Sequence, residues 1–218
     1  MLSLTEENYL KAIYRLSKGG SKSVSTNEIA ESMSTKAASV TDMIKKLSTK
    51  NLIAYEKYYG VKITRLGKAE ALMVIRKHRL WETFLVQKLQ FTWDEVHEVA
   101  EQLEHIQSPL LIEKLDEFLG FPSADPHGHP IPDKHGKIAP QKQIALSEAN
   151  AHKKSFVQAV KNGTPSFLQY LSKIGIYIGA GIEILEKVEF DGSLEVLIDD
   201  TRRAFISGEA AQNLLVTE

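Results

Sequence analysis

The run STNEIAESMSTKAASVTDMIKKLSTKNLIAYEKYYGVKIT, Ser25 to Thr64, changes its hydrophobic period along its length. Ser25–Thr26–Asn27–Glu28 has the form of a capping box, in which a hydroxyl and a carboxylate three residues on satisfy each other's orphan backbone donors. It opens a short helix with Ile29, Ala30 and Met33 inward. After a brief turn a second helix begins at Thr35 or Lys36 and runs to about Thr49, with Val40, Met43, Ile44 and Leu47 as its inner face. Leu52–Tyr58 and Val61–Thr64 then have the composition of two short strands, joined at Tyr59–Gly60 as a hairpin.

Working back from this run, residues 4–17 read as a helix. Thr5 serves as N-cap, Glu6 and Glu7 suit the positive end of the macrodipole, and Tyr9, Leu10, Ile13, Tyr14 and Leu16 form an apolar stripe that ends at Gly19–Gly20. Helix, short helix, turn, helix, hairpin is the order of a winged helix-turn-helix, whose third helix enters the DNA major groove. The outward positions of that helix are Lys36, Ala38, Ser39, Thr41, Asp42, Lys45 and Lys46. Small residues at its start permit close approach. Ser39 and Thr41 suit phosphate or base edges, and Ala38 suits a thymine methyl. Lys45 and Lys46, with Lys57 and Lys62 of the wing, would supply phosphate contacts. Double-stranded DNA is the partner these positions imply.

Working forward, a long helix spans about Arg65 to Leu89, with Leu66, Ala69, Leu72, Met73, Leu80, Trp81, Phe84 and Leu85 apolar. Another runs from Thr92–Trp93–Asp94–Glu95 to Gln107, and on it His97, Glu101, Glu104 and His105 fall within an arc of roughly 80–100°. Imidazoles and carboxylates on one face make a ligand set for a divalent transition ion. His78 and Glu82 sit four apart on the preceding helix, one turn along a face. Charged residues at helical spacing also make an ordinary solvated face, and water relieves their repulsion as a cation would. Pro109 opens a helix through Leu119 whose Leu110, Leu111, Leu115, Phe118 and Leu119 suit a core or a dimer interface.

Residues 120–143 read as a loop. His127 and His129 have ligand chemistry, but the density of Pro and Gly around them assigns them to the loop rather than to a metal site. Residues 141–155 are polar and read as a linker. In the tail, Phe167, Leu168 and Leu171 suit a short helix. Ile176–Val188 alternates as strands do, Asp191–Gly192 turns into Leu194–Ile198, and Arg203–Ile206 is a further strand, together a small β-barrel.

Composition sets bounds on these readings. The 218 residues are 43% hydrophobic and 25% charged, as in an ordinary soluble protein, and none is cysteine. Disulfides, thiolate metal sites and a cysteine nucleophile are therefore excluded, and any ion is held by nitrogen and oxygen. The net charge of −1 conceals an asymmetry: residues 1–79 carry 15 Lys+Arg against 7 Asp+Glu, residues 80–218 carry 12 against 21. A basic front half suits nucleic acid. Met1–Glu7 lacks a signal-peptide pattern and no apolar run approaches membrane-spanning length, so a cytoplasmic protein without a membrane partner is expected.

Several stretches resemble the diphtheria-toxin-repressor and manganese-transport-regulator family of bacterial metal-dependent repressors. They are Glu7–Tyr14, Ser39–Val40–Thr41, Arg76–Glu82, His97–x–x–x–Glu101–x–x–Glu104–His105 and Gly128–Pro132, in order over about residues 1–135. The resemblance implies a mainly α fold with a small β part. Its domains would be a winged helix-turn-helix domain at 1–72, a helical metal-binding and dimerisation domain at 73–140, the linker at 141–155, and an SH3-like, FeoA-like domain at 156–218. It also implies two ion sites, one from Asn8, Glu101, Glu104 and His105, the other from His78, Glu82 and His97.

The chain departs from the family pattern in places. Asn8 stands where better-known members have methionine or aspartate, and Lys11 where manganese regulators have a carboxylate, against a closely spaced ion pair. Glu101 stands where iron-type members have cysteine, and a harder ligand favours Mn²⁺ over Fe²⁺, with Zn²⁺ a further alternative. The third-domain ligands of the iron type fall near Gly163 and Ser166, neither of them a match. The function implied is a metal-activated homodimeric repressor of metal-homeostasis genes that binds palindromic operators and takes no small-molecule substrate. The rivals are a winged-helix regulator without a metal response and a metal-dependent hydrolase. The hydrolase is disfavoured because His97–Glu98–x–x–Glu101 and Glu101–x–x–Glu104–His105 each miss a zinc-protease pattern by one residue.

Overall fold

The computed structural model describes residues 2–56 and 58–217, so the wing residue Lys57 lies outside the described residues. The chain forms two compact units, one of residues 1–78, 101–109 and 132–138, the other of 79–100, 110–131 and 139–218. The helical segment expected as a middle domain is shared between them.

The first unit starts with α1 (Leu4–Leu16), α2 (Thr26–Ser32) and α3 (Ala37–Thr49), then the antiparallel pair β1 (Ile53–Glu56) and β2 (Gly60–Ile63). The N-cap of α1 is Ser3 rather than Thr5. Its hydroxyl accepts from the Glu6 N–H while Glu6 accepts from the Ser3 N–H, a capping box two residues earlier than expected. Ser25 caps α2 by the same device, as its sequence indicates. The apolar faces of the three helices meet in one core around Leu10, Ile13, Ile29, Val40, Leu47 and Val61, all fully buried. Each large side chain there contributes about 1.5–3 kcal/mol. This is the winged helix-turn-helix.

Three helices follow: α4 (Arg65–Leu89), α5 (Val96–Leu103) and α6 (Pro109–Phe118). The α5 helix is shorter than the periodicity predicts. Thr92 still caps a turn, both its N–H and its hydroxyl donating to Glu95, but the helix ends at Leu103. Glu104 and His105 therefore lie in the turn beyond it, not on a common helical face with His97 and Glu101.

In the second unit β3 (Gln143–Ala145), β4 (Lys154–Val160), β5 (Gly181–Lys187), β6 (Leu194–Ile198), β7 (Arg202–Ile206) and β8 (Leu214–Thr217) make one antiparallel sheet, in the order β3-β8-β4-β5-β6-β7. Helices α7 (Pro165–Ile174) and α8 (Gly208–Asn213) pack with it. The expected barrel is not closed: β3 and β7 end the sheet as open edges. Two further readings are corrected. The polar stretch 141–155 contains β3 and a 3-10 turn whose Leu146 is fully buried in the core. The long strand read from Ile176 begins only at Gly181, because α7 ends in a left-handed Gly175 and a turn carries Ile176 into the core.

Candidate metal centres

In the first unit, α1 faces the turn that follows α5. Glu104 is 1% exposed, and its Oε2 accepts from the Lys11 ammonium at 2.6 Å and lies 2.5 Å from His78 Nδ1. Burial pushes its carboxyl up, but His78 and Lys11 outweigh this and hold it below the usual carboxylate range. His105 Nδ1 lies 2.6 Å from Glu7 Oε2, and Glu7 Oε1 also accepts from Gln107 Nε2 at 2.8 Å. With Nδ1–H donating to that carboxylate, the imidazole lone pair sits on Nε2, which lies 3.7 Å from Glu104 Oε1. That separation suits two ligands each about 2.1 Å from a common ion.

This turn brings some of the residues singled out from the sequence together and leaves others apart. Glu104 and His105 converge as expected. Glu101 is half-exposed, 3.8 Å from Lys11, and Asn8 is partly buried on α1. Glu7 is the residue sequence reasoning missed. Its position in the first turn of α1 reads as helix-end charge, yet it holds the imidazole by the carboxylate–histidine arrangement common behind metal ligands.

In the second unit, Glu82 of α4 and His97 of α5 approach to 3.4 Å, with Glu82 3% and His97 54% exposed. His78, one turn before Glu82 on α4, belongs to the first unit. The loop at 125–129, which sequence reasoning assigned no ligands, adds to the Glu82 side. Asp125, His127 and His129 place one ligand atom each within 4.8 Å of one another. Asp125 Oδ1 accepts from the N–H groups of His127 and His129, folding the loop over a buried carboxylate. Its Oδ2 is buried without a hydrogen-bond partner among the described residues, with His129 Nδ1 at 3.3 Å and Arg79 Nε at 3.5 Å.

Both imidazoles bond a backbone carbonyl through Nε2, His127 to Trp93 and His129 to Val160. Their Nδ1 atoms therefore face carboxylates, that of His127 lying 3.7 Å from Glu82 Oε2. A bare lone pair against a carboxylate needs a cation between them, a proton or an ion. Burial pulls the His127 imidazole down, and Glu82 and Asp125 outweigh it to raise the pKa. Gly128 permits this loop: its φ is +82°, and a Cβ there would lie 1.7 Å from the Gln158 carbonyl oxygen. The every-second-residue spacing of Asp125, His127 and His129 is the signal that could have found the site.

Also in the first unit, Lys36, Ala38, Ser39, Thr41, Asp42, Lys45, Lys46 and Lys62 are all exposed. Lys45 pairs with Asp42 at 3.2 Å, and Thr41 donates to the Ala37 carbonyl. Lys46 and Lys50 reach Glu6 of α1 at 3.4 and 2.7 Å, so α1 is joined to the C-terminal half of α3. Among the described residues no helix is long and apolar enough to cross a membrane.

Comparison with known proteins gives the same reading over the whole chain. Residues 1–61 match the iron dependent repressor N-terminal DNA binding domain, 64–133 the iron dependent repressor metal binding and dimerisation domain, and 144–218 the FeoA domain. A solved manganese-dependent transcriptional repressor in complex with manganese is 34% identical, with a TM-score of 0.86, and the alignment covers 98% of this chain and 99% of that one. An uncharacterized HTH-type transcriptional regulator of Methanocaldococcus jannaschii is 34% identical over 118 residues, 54% of this chain and 94% of that protein. The iron-dependent repressor IdeR of Mycobacterium leprae is 33% identical over 128 residues, 59% of this chain but only 55% of that protein. With the winged helix, the helical segment and the FeoA domain each matched in order, the chain belongs to the diphtheria-toxin-repressor and manganese-transport-regulator family of metal-dependent transcriptional repressors.

Proposed function

We propose that this chain is a manganese-activated homodimeric repressor that binds palindromic operators of metal-homeostasis genes. The observation that carries the metal reading is the pairing of His105 and Glu104. One imidazole nitrogen is tied to Glu7, and the other faces a buried carboxylate oxygen 3.7 Å away. Glu104 and His105 form the first centre, with Glu101 and Asn8 completing it. The 2.5 Å approach of His78 to Glu104 draws His78 to this centre. Glu82 and His97 form the second, joined by Asp125 and His127, whose lone pairs and carboxylates need a cation between them.

A bound divalent ion supplies double positive charge that these carboxylates share. The donor set is all oxygen and nitrogen, which favours Mn²⁺ over Fe²⁺, and the manganese-dependent solved relative favours the same choice. Glu7 fixes the His105 tautomer, and Glu6 ties the helix that carries Glu7 and Asn8 to α3. Two recognition helices of a dimer must face half-sites about 34 Å apart. An ion that prefers the DNA-competent arrangement tenfold contributes about 1.4 kcal/mol to it. Leu110, Leu111 and Phe118 of α6 are 65%, 40% and 62% exposed and supply an apolar face for the second copy.

The test is Mn²⁺ stoichiometry and operator affinity for wild type, Glu104→Gln and Asp125→Asn. Each variant should lose one ion, and Glu104→Gln should lose metal-dependent operator binding. Variants that retain both ions refute the site assignment, and chelated wild type that binds operator as tightly as loaded protein refutes metal activation.

A further inference from the structure

The carboxylates of the first centre already have a cation among them. Lys11 Nζ lies 2.6 Å from Glu104 Oε2, 3.8 Å from Glu101 Oε1 and 3.3 Å from His78 Nδ1. A protonated lysine has donors only and cannot be a ligand. Glu104 is 1% exposed, and a buried carboxylate is costly unless paired. Lys11 lies one turn along α1 from Glu7 and Asn8, so the helix that orients His105 also delivers this charge.

We propose that the Lys11 ammonium is the resident counter-charge of Glu104 and competes with an incoming divalent ion for that carboxylate. The inference rests on the metal reading above and goes beyond it: Lys11 is a positioning residue that stabilises the ion-free protein and weakens ion binding. Without an ion, Lys11 pairs with the buried Glu104 carboxylate and holds it in place. With one, Lys11 must leave Oε2 or remain beside a second positive centre, and either costs binding free energy. The chain thus holds its site folded without metal and sets a higher ion concentration for loading.

The experiment compares wild type, Lys11→Met and Lys11→Arg by calorimetric titration with Mn²⁺ and by thermal melting of chelated and Mn²⁺-saturated protein. Methionine keeps much of the packed stem without the charge, and arginine keeps the charge. Lys11→Met should bind Mn²⁺ at least about tenfold more tightly, about 1.4 kcal/mol. Its chelated form should melt lower than chelated wild type, while its saturated form melts close to saturated wild type. Lys11→Arg should stay near wild type in both measurements, which keeps the charge testable if Lys11→Met folds poorly. Equal destabilisation of both forms, or an unchanged Mn²⁺ affinity, would show a merely structural lysine and overturn the proposal. Wild type that takes up no Mn²⁺ at all would overturn the metal reading itself, and this inference with it.

Discussion

Glu6→Gln isolates the connection between α1 and the recognition helix. The Glu6 carboxylate is 1% exposed, and Lys50 and Lys46 approach its Oε1 at 2.7 and 3.4 Å. Burial pushes the group up, but the lysines and the Ser3 N–H outweigh it, lowering its pKa from 4.5 to about 2. A fall of that size corresponds at most to about 3 kcal/mol of stabilisation near neutral pH. The lysine side chains are 39% and 53% exposed, so solvent screening reduces the figure to about 1–2 kcal/mol. Glutamine at the third helical position can still accept from the N-cap backbone, so the substitution removes the charge and keeps the capping box.

Because the folded pKa is depressed, the stabilisation is complete above about 4.5 and disappears as the pH falls toward about 2. Urea unfolding of wild type and Glu6→Gln should therefore differ by about 1–2 kcal/mol near neutrality, and melting by roughly 2–8 °C. The two should converge near pH 2, other carboxylates cancelling in the comparison. A variant as stable as wild type at neutrality, or a gap that persists unchanged into acid, would refute the ion-pair reasoning.

Gly128→Ala should destabilise the second unit by about 1–3 kcal/mol or more, because it strains a positive φ and drives a Cβ into the Gln158 carbonyl. Thermal melting checks the stability, and the same variant should lose the ion assigned to Asp125 while keeping that assigned to Glu104. Leu111→Asp places a charge on the exposed face of α6 and should convert the proposed dimer to monomer in sedimentation without loss of fold. An unchanged dimer would move the interface elsewhere.

Much of the first unit was legible because its signals are local. The Ser25 capping box, the apolar face of α3 and the glycine of the hairpin act within a few residues of themselves. Helix α4 was readable along its length for the same reason. Local signals misled where two caps compete, as with Ser3 and Thr5, and where alternation continues past a strand, as at Ile176. The arc drawn through His97, Glu101, Glu104 and His105 assumed an unbroken helix, and α5 stops at Leu103.

By itself, the sequence determined the winged helix, the residues offered outward on α3 and a set of oxygen and nitrogen donors without thiols. Only the tertiary structure decided which of those ligands meet. Glu7 and His105 are 98 residues apart, and so much chain separates Lys11 from Glu104 that no helical period relates them. Asp125, His127 and His129 are close in sequence but become a cluster only because an Asx turn, seated on β4 through a glycine, aims three side chains inward. Periodicity reports which face of an element a residue occupies, whereas an ion site depends on which faces are brought together.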